Sequence, residues 1–105
     1  MGNADIRRLD REIQKTNRKL EAVRNEETWP LTSAERRAVL AALAGGSYRF
    51  ARGKSTDRAD RRLESIHQSV QTRLIAELTA LQSERQRLVT EAAQAKAAKK
   101  SSGWW

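Results

Sequence analysis

Apolar residues recur at steps of three and four along most of this chain. Ile6, Leu9, Ile13, Leu20 and Val23 keep that spacing strictly, with Thr16 in the one slot that lacks an aliphatic side chain. Three heptads of a coiled-coil seam follow from it. The spacing predicts a first helix over about residues 4–28, with Asn3 as its cap and Trp29-Pro30 as its end, because a residue before proline is pushed out of the α region. Thr32 and Glu35 form the pattern of a capping box and open a second, shorter helix over about 32–44. Val39, Leu40 and Leu43 are its apolar face, and Gly45-Gly46 is the expected stop. Ser55 or Thr56 caps a third helix over about 56–97, with Asp57 and Asp60 in the first turn, where the helix dipole favours carboxylates.

The seam of the third helix reads Leu63, Ile66, Val70, Leu74, Leu78, Leu81, Arg85, Leu88, Ala92 and Ala95, widened by Ile75 and Val89. Its opening steps make an eleven-residue repeat before heptads resume. The expected fold class is therefore all-α: three helices, with long coiled-coil-like helices 1 and 3 and a short helix 2 between them. One helical domain over about 1–97 carries a basic loop at about 47–55, and about 98–105 is expected to be a flexible C-terminal tail. At about 1.5 Å per residue, helix 3 would extend ~60 Å against nearly 40 Å for helix 1. That difference exposes Leu78, Leu81 and Leu88, which are expected to find a second copy of the chain in a homodimer. Trp104 and Trp105, after a Ser-Ser-Gly spacer, are candidates for contact with a partner. Trp29 is expected to pack over the corner between helices 1 and 2.

Charge narrows the class of function. The 105 residues hold 21 Lys and Arg against 13 Asp and Glu, for a net charge of +8. From Tyr48 to Arg62 the six basic residues Arg49, Arg52, Lys54, Arg58, Arg61 and Arg62 meet only Asp57 and Asp60, a net +4 and half of the total. Arginine dominates this cluster, and its planar fork matches phosphate oxygens two at a time. Tyr48 and Phe50 interleave it and offer faces for base stacking. A second basic surface comes from Arg8, Arg11, Lys15 and Arg18, which fall opposite the seam of helix 1. These ten basic residues are the candidate phosphate contacts, and the expected function is a small non-enzymatic nucleic-acid-binding protein, an accessory or regulatory factor. The competing expectation is a coiled-coil adaptor or assembly protein whose partner is protein.

Other classes are disfavoured. With no cysteine and the single histidine His67, the sequence offers neither disulfides nor a tetrahedral zinc set. His67 lies beside the apolar stripe with no nucleophile at predictable range, so no catalytic site is expected, and no cofactor is implied. The longest apolar run, from Ala38 to Ala44, is far below the ~20 residues that span a bilayer, and the expected location is cytoplasmic. Gly53-Lys54-Ser55-Thr56 matches the end of a phosphate-binding P-loop, but Tyr48 stands where that motif needs glycine, and a helix precedes it in place of a strand. Leu31, Thr32, Glu35, Arg36 and Gly45 resemble the first helix of a LuxR-type helix-turn-helix over some fifteen residues. Val39 and Leu40 lie one place later than that pattern has its aliphatic pair, and Ser47 to Lys54 is short and basic where the scanning helix is expected. The resemblance, if extended, would make helix 3 the reading helix.

Overall fold

The computed structural model describes residues 3–102, with side chains from 4 to 100, and Trp104 and Trp105 lie outside that range. It is all-α, with three helices: α1 (Asn3–Arg24), α2 (Ser33–Ala51) and α3 (Asp57–Ser102). Among the described residues there is no strand, and no helix is long and apolar enough to cross a membrane. The chain divides into two compact units. Residues up to Asn17 and from Ala76 onward make one, and Arg18–Ile75 makes the other.

The C-terminal ends of α1 and α2 differ from the sequence expectation, each for a local reason. α1 stops at Arg24, before Trp29-Pro30 is reached, because residues 22–27 close it with a hydrogen-bonded reversal. The Glu27 amide donates to Ala22 O at 2.8 Å and the Glu26 amide to Val23 O at 3.0 Å, with Glu26 in the left-handed region at φ 62°. These are the two bonds of a Schellman motif, in which glycine is the usual central residue. α2 runs straight through Gly45-Gly46 and ends in a second motif of the same kind. Here Gly53, at φ 69°, is the left-handed residue, the Gly53 amide donates to Phe50 O and the Lys54 amide to Arg49 O at 2.9 Å. The expected loop at 47–55 is thus helical as far as Ala51, and only residues 52–56 connect α2 to α3. That continuity also removes the turn a helix-turn-helix would need after its first helix. α3 runs to Ser102, past the expected end near 97.

The start of α2 follows the capping box. The Glu35 amide donates to Thr32 Oγ1, and the Thr32 amide donates to Glu35 Oε1 at 2.8 Å. At the α3 start the Asp57 amide donates to Ser55 Oγ, and Thr56 Oγ1 donates to Asp60 Oδ2.

In the 18–75 unit the core is Leu20, Ala22, Val23, Ala42, Ala59, Val70 and Leu74, with Pro30 also buried. Contacts between residues 46 and 59, and between 35 and 73, set α2 antiparallel to α3. α2 meets α3 through small residues rather than through Val39, Leu40 and Leu43. Ala42 and Gly46 are buried, and a Cβ built on Gly46 would lie 3.0 Å from Ala59 Cβ. Leu40 and Leu43 stay 64% and 49% exposed, so the apolar face expected for this helix is largely in water. Arg73 ties the far end of the hairpin: its guanidinium donates to both Glu35 oxygens, at 2.8 and 2.9 Å, and to Pro30 O. Trp29 does not cover the corner before α2, since it is half exposed and Pro30 is the buried residue there. Arg36 holds that turn by donating to Thr28 O and Trp29 O.

In the other unit Leu9 and Thr16 are the buried residues of α1, and Thr16 Oγ1 donates to Glu12 O within the helix. That bond spares the hydroxyl the cost of burial without a partner. Arg85, at a seam position of α3, reaches Asp10 at 2.5 Å. Leu78, Leu81 and Leu88 are half-buried, and from Glu91 to Lys100 every residue is exposed.

Candidate nucleic-acid interface

The expected binding residues separate by helix flank. At about 100° per residue, the contact line through Ala42 and Gly46 leaves Leu43 and Phe50 on one flank of α2 and Arg49 and Arg52 on the other. On α3, with Ala59 and Val70 turned inward, Asp60, Glu64 and His67 fall on one flank and Arg58 and Arg62 on the other. The acidic flank of α3 and the apolar flank of α2 share a side, because Asp60, Glu64 and His67 line the same hollows as Leu43. Arg49, Arg52, Arg58 and Arg62 therefore share the opposite side, two from each helix. Arg61 points away from α2, and Lys54 sits in the connection.

This side carries little neutralising charge. Among the described residues, none of Arg49, Arg52, Arg58, Arg61 and Arg62 takes part in an ion pair. Arg49 is half-buried and donates from Nε to Ser55 O at 2.9 Å, bracing the connection to α3. The Arg52 guanidinium lies 5.5 Å from the Tyr48 ring centroid, and Tyr48 is 60% exposed. A cation over an aromatic face is attracted by the ring quadrupole, by about 0.5–1 kcal/mol at an exposed site. Arg58 and Arg62 stand one helical turn apart and both are exposed. Phe50 does not interleave these arginines, as the sequence reading expected, since its ring projects 77% exposed on the other side.

Three of the four remaining basic candidates belong to the other unit. Arg8, Arg11 and Lys15 are exposed on α1 in one unit, and Arg18 is exposed where the other begins. Arg8 has carboxylate company: the Glu84 carboxyl is held below its ordinary range, mainly by hydrogen bonds from Arg87, and Arg8 adds to the effect. Arg87 itself bridges Glu84 and Glu91, which raises its already high pKa further. His67 lies half-buried along the hollow between α2 and α3.

Sequence reasoning missed the two-sidedness of the hairpin because it ended α2 at Gly45-Gly46. Carrying the helical phase on to Gly53 would have put Phe50 in line with Leu43 and Arg49 in line with Arg52, a signal present in the spacing alone. No protein-family model, curated protein or solved structure matches the chain.

Proposed function

We propose that this chain is a non-enzymatic nucleic-acid-binding protein that grips the sugar-phosphate backbone with the arginine side of the α2–α3 hairpin. The observation that carries this reading is the sorting of charge by side: Arg49, Arg52, Arg58 and Arg62 converge from two antiparallel helices, while Asp60 and Glu64 lie on the opposite flank. Planar guanidiniums spaced along two neighbouring helices suit a row of phosphates. Contacts of this kind fix position rather than base sequence, so the expected binding is weakly selective. The Tyr48 ring, with Arg52 against it, supplies a stacking surface that favours unpaired bases at the edge of the site.

Fluorescence anisotropy with labelled duplex DNA, single-stranded DNA and RNA, with heparin as competitor, tests the proposal. If four phosphates are neutralised, log K should fall against log salt with a slope of roughly −3 to −4. Replacing Arg52, Arg58 and Arg62 together by Gln should flatten that slope by about 2 to 3 and weaken binding uniformly across sequences. No detectable binding to any of the three at low salt would refute the reading.

A further inference from the structure

Gly45 is a helical glycine without a packing reason. Its neighbour Gly46 answers to the close approach of Ala59, but a Cβ built on Gly45 would meet nothing within 4 Å, and alanine is the better helix former. Gly45 lies three residues before Tyr48 on the arginine side of α2, with the exposed Ala41 one turn further back. A helical side chain leans back over the turn that precedes it, which for Tyr48 is the turn of Ala44 and Gly45. The ring nevertheless stands clear of that turn, since no side-chain atom of Tyr48 comes within 4 Å of the Cβ position at Gly45. One face of the ring carries the Arg52 guanidinium, 5.5 Å from its centroid, and the residue is 60% exposed. The other face opens on a notch floored by Gly45 and Ala41.

The place of this notch in the arginine row indicates what enters it. Measured from the contact of Gly46 with Ala59, Arg49 stands about 4.5 Å, Tyr48 about 3 Å and Arg58 about 1.5 Å towards the tip of the hairpin, and Arg62 about 4.5 Å the other way. The ring is thus level with the middle of the row and to one side of it, further round α2. A phosphate chain lying along the row turns its bases over α2 or over α3. The flank of α3 beside the row carries Ser65 and Arg61 and no aromatic ring, so only α2 offers a base a surface to stack on. In a duplex the bases are already paired and stacked, and extruding one is costly. A single strand presents its bases free.

Resting on the nucleic-acid reading above, we propose that the ligand of the hairpin is a single strand, with its backbone along Arg49, Arg58 and Arg62 and one base seated in the notch, face to face with Tyr48 and edge-on to Gly45. Arg52 backs the ring from its far side. Every base has a face to stack, so the notch selects an unpaired strand and leaves its sequence open.

Anisotropy with three probes of equal length tests this: a single strand that cannot pair with itself, the same length of strand built from abasic nucleotides, and the duplex. The abasic strand keeps the phosphates and lacks the bases. It should bind roughly ten-fold more weakly than the normal strand, a factor in keeping with one base stacked on an aromatic ring. Because stacking releases no counterions, that advantage should persist from about 50 to 200 mM salt while both affinities fall. Tyr48→Ala should abolish it and lower the ratio of single-strand to duplex affinity by a similar factor, whereas Tyr48→Phe should keep it. Gly45→Leu, which fills the notch and leaves the ring in place, should also abolish it, with helical circular dichroism retained. Equal binding of normal and abasic strands, a loss in Tyr48→Ala shared equally by the duplex, or an advantage that survives Gly45→Leu would overturn the notch and leave the phosphate grip standing. Absence of binding to all three probes at low salt would overturn both.

Discussion

Gly45 and Gly46 are adjacent, both helical, and should respond in opposite ways to the same added methyl group. A Cβ on Gly45 would meet nothing within 4 Å, whereas one on Gly46 would lie 3.0 Å from Ala59 Cβ. Glycine inside a helix costs roughly 0.5–1 kcal/mol relative to alanine, so Gly45→Ala should stabilise the protein by about that amount. At Gly46 the same backbone gain applies, but carbon atoms in contact prefer about 3.5–4.0 Å, so Ala59 and the helix that carries it would have to give by a few tenths of an ångström. Forcing an extra methyl into a closed contact costs ~1–3 kcal/mol. Gly46→Ala should therefore fall at least ~1 kcal/mol below Gly45→Ala, and the larger Gly46→Leu should fall well below both. Urea denaturation followed by circular dichroism, with each midpoint converted through a common m-value, reads the difference. Adding Ala59→Gly to Gly46→Ala should recover the steric part and lose about 1 kcal/mol of helix propensity, so the two changes should be non-additive. If Gly46→Ala stabilises as much as Gly45→Ala, the close approach of the two helices at that point is wrong.

Two more predictions concern the ends of α1 and α2. Glu26 takes a left-handed conformation that costs an L-residue about 1–2 kcal/mol, so Glu26→Gly should stabilise by up to about 1 kcal/mol after the added freedom of the unfolded chain is counted, and a fall in the urea midpoint would contradict the turn geometry. The Glu35 carboxyl is held below its ordinary value of 4.5, chiefly by hydrogen bonds from Arg73 and also by the Thr32 amide, while burial opposes the shift. A depressed carboxylate pKa adds stability above the unfolded value and loses it as pH falls through the folded one. Glu35→Gln should thus cost about 1–2 kcal/mol at pH 7 and progressively less below about pH 4.5, and an equal cost at pH 7 and pH 3 would show that the charge of Glu35 contributes nothing.

How far the fold was legible in the sequence depends on the range of the interaction that decides each element. The capping box of Thr32 and Glu35 lies within four residues and was readable from them. So was the existence of three helices, since a period of three to four residues is a local signal. The end of α1 was not, because nothing in glutamate announces a left-handed residue, and the Pro30 signal four residues after Glu26 was the stronger cue. Gly45-Gly46 misled for a different reason. A glycine pair is equally the mark of a helix end and of two helices in close contact, and only Ala59, thirteen residues on, distinguishes them. Trp29 was expected to pack over the corner between helices 1 and 2, yet the turn closes on Pro30 and on the carbonyls that Arg36 bonds. The candidate arginines were all named from composition, but their division from Phe50 came only with the true length of α2.

The absent side chain at Gly46 has an electrostatic consequence as well as a steric one. By letting α2 and α3 close on each other, it narrows the strip from which Arg49, Arg52, Arg58 and Arg62 emerge, so that salt screens the charges of one helix from those of the other less than it would across a wider gap. Like charges along such a strip repel, and the contacts that oppose the repulsion are the close approach of Gly46 to Ala59 and the distant Arg73–Glu35 clasp. On the proposed function, a polyanion would meet one summed field instead of four separate charges, and in relieving the repulsion would tighten the pairing of the two helices that present it.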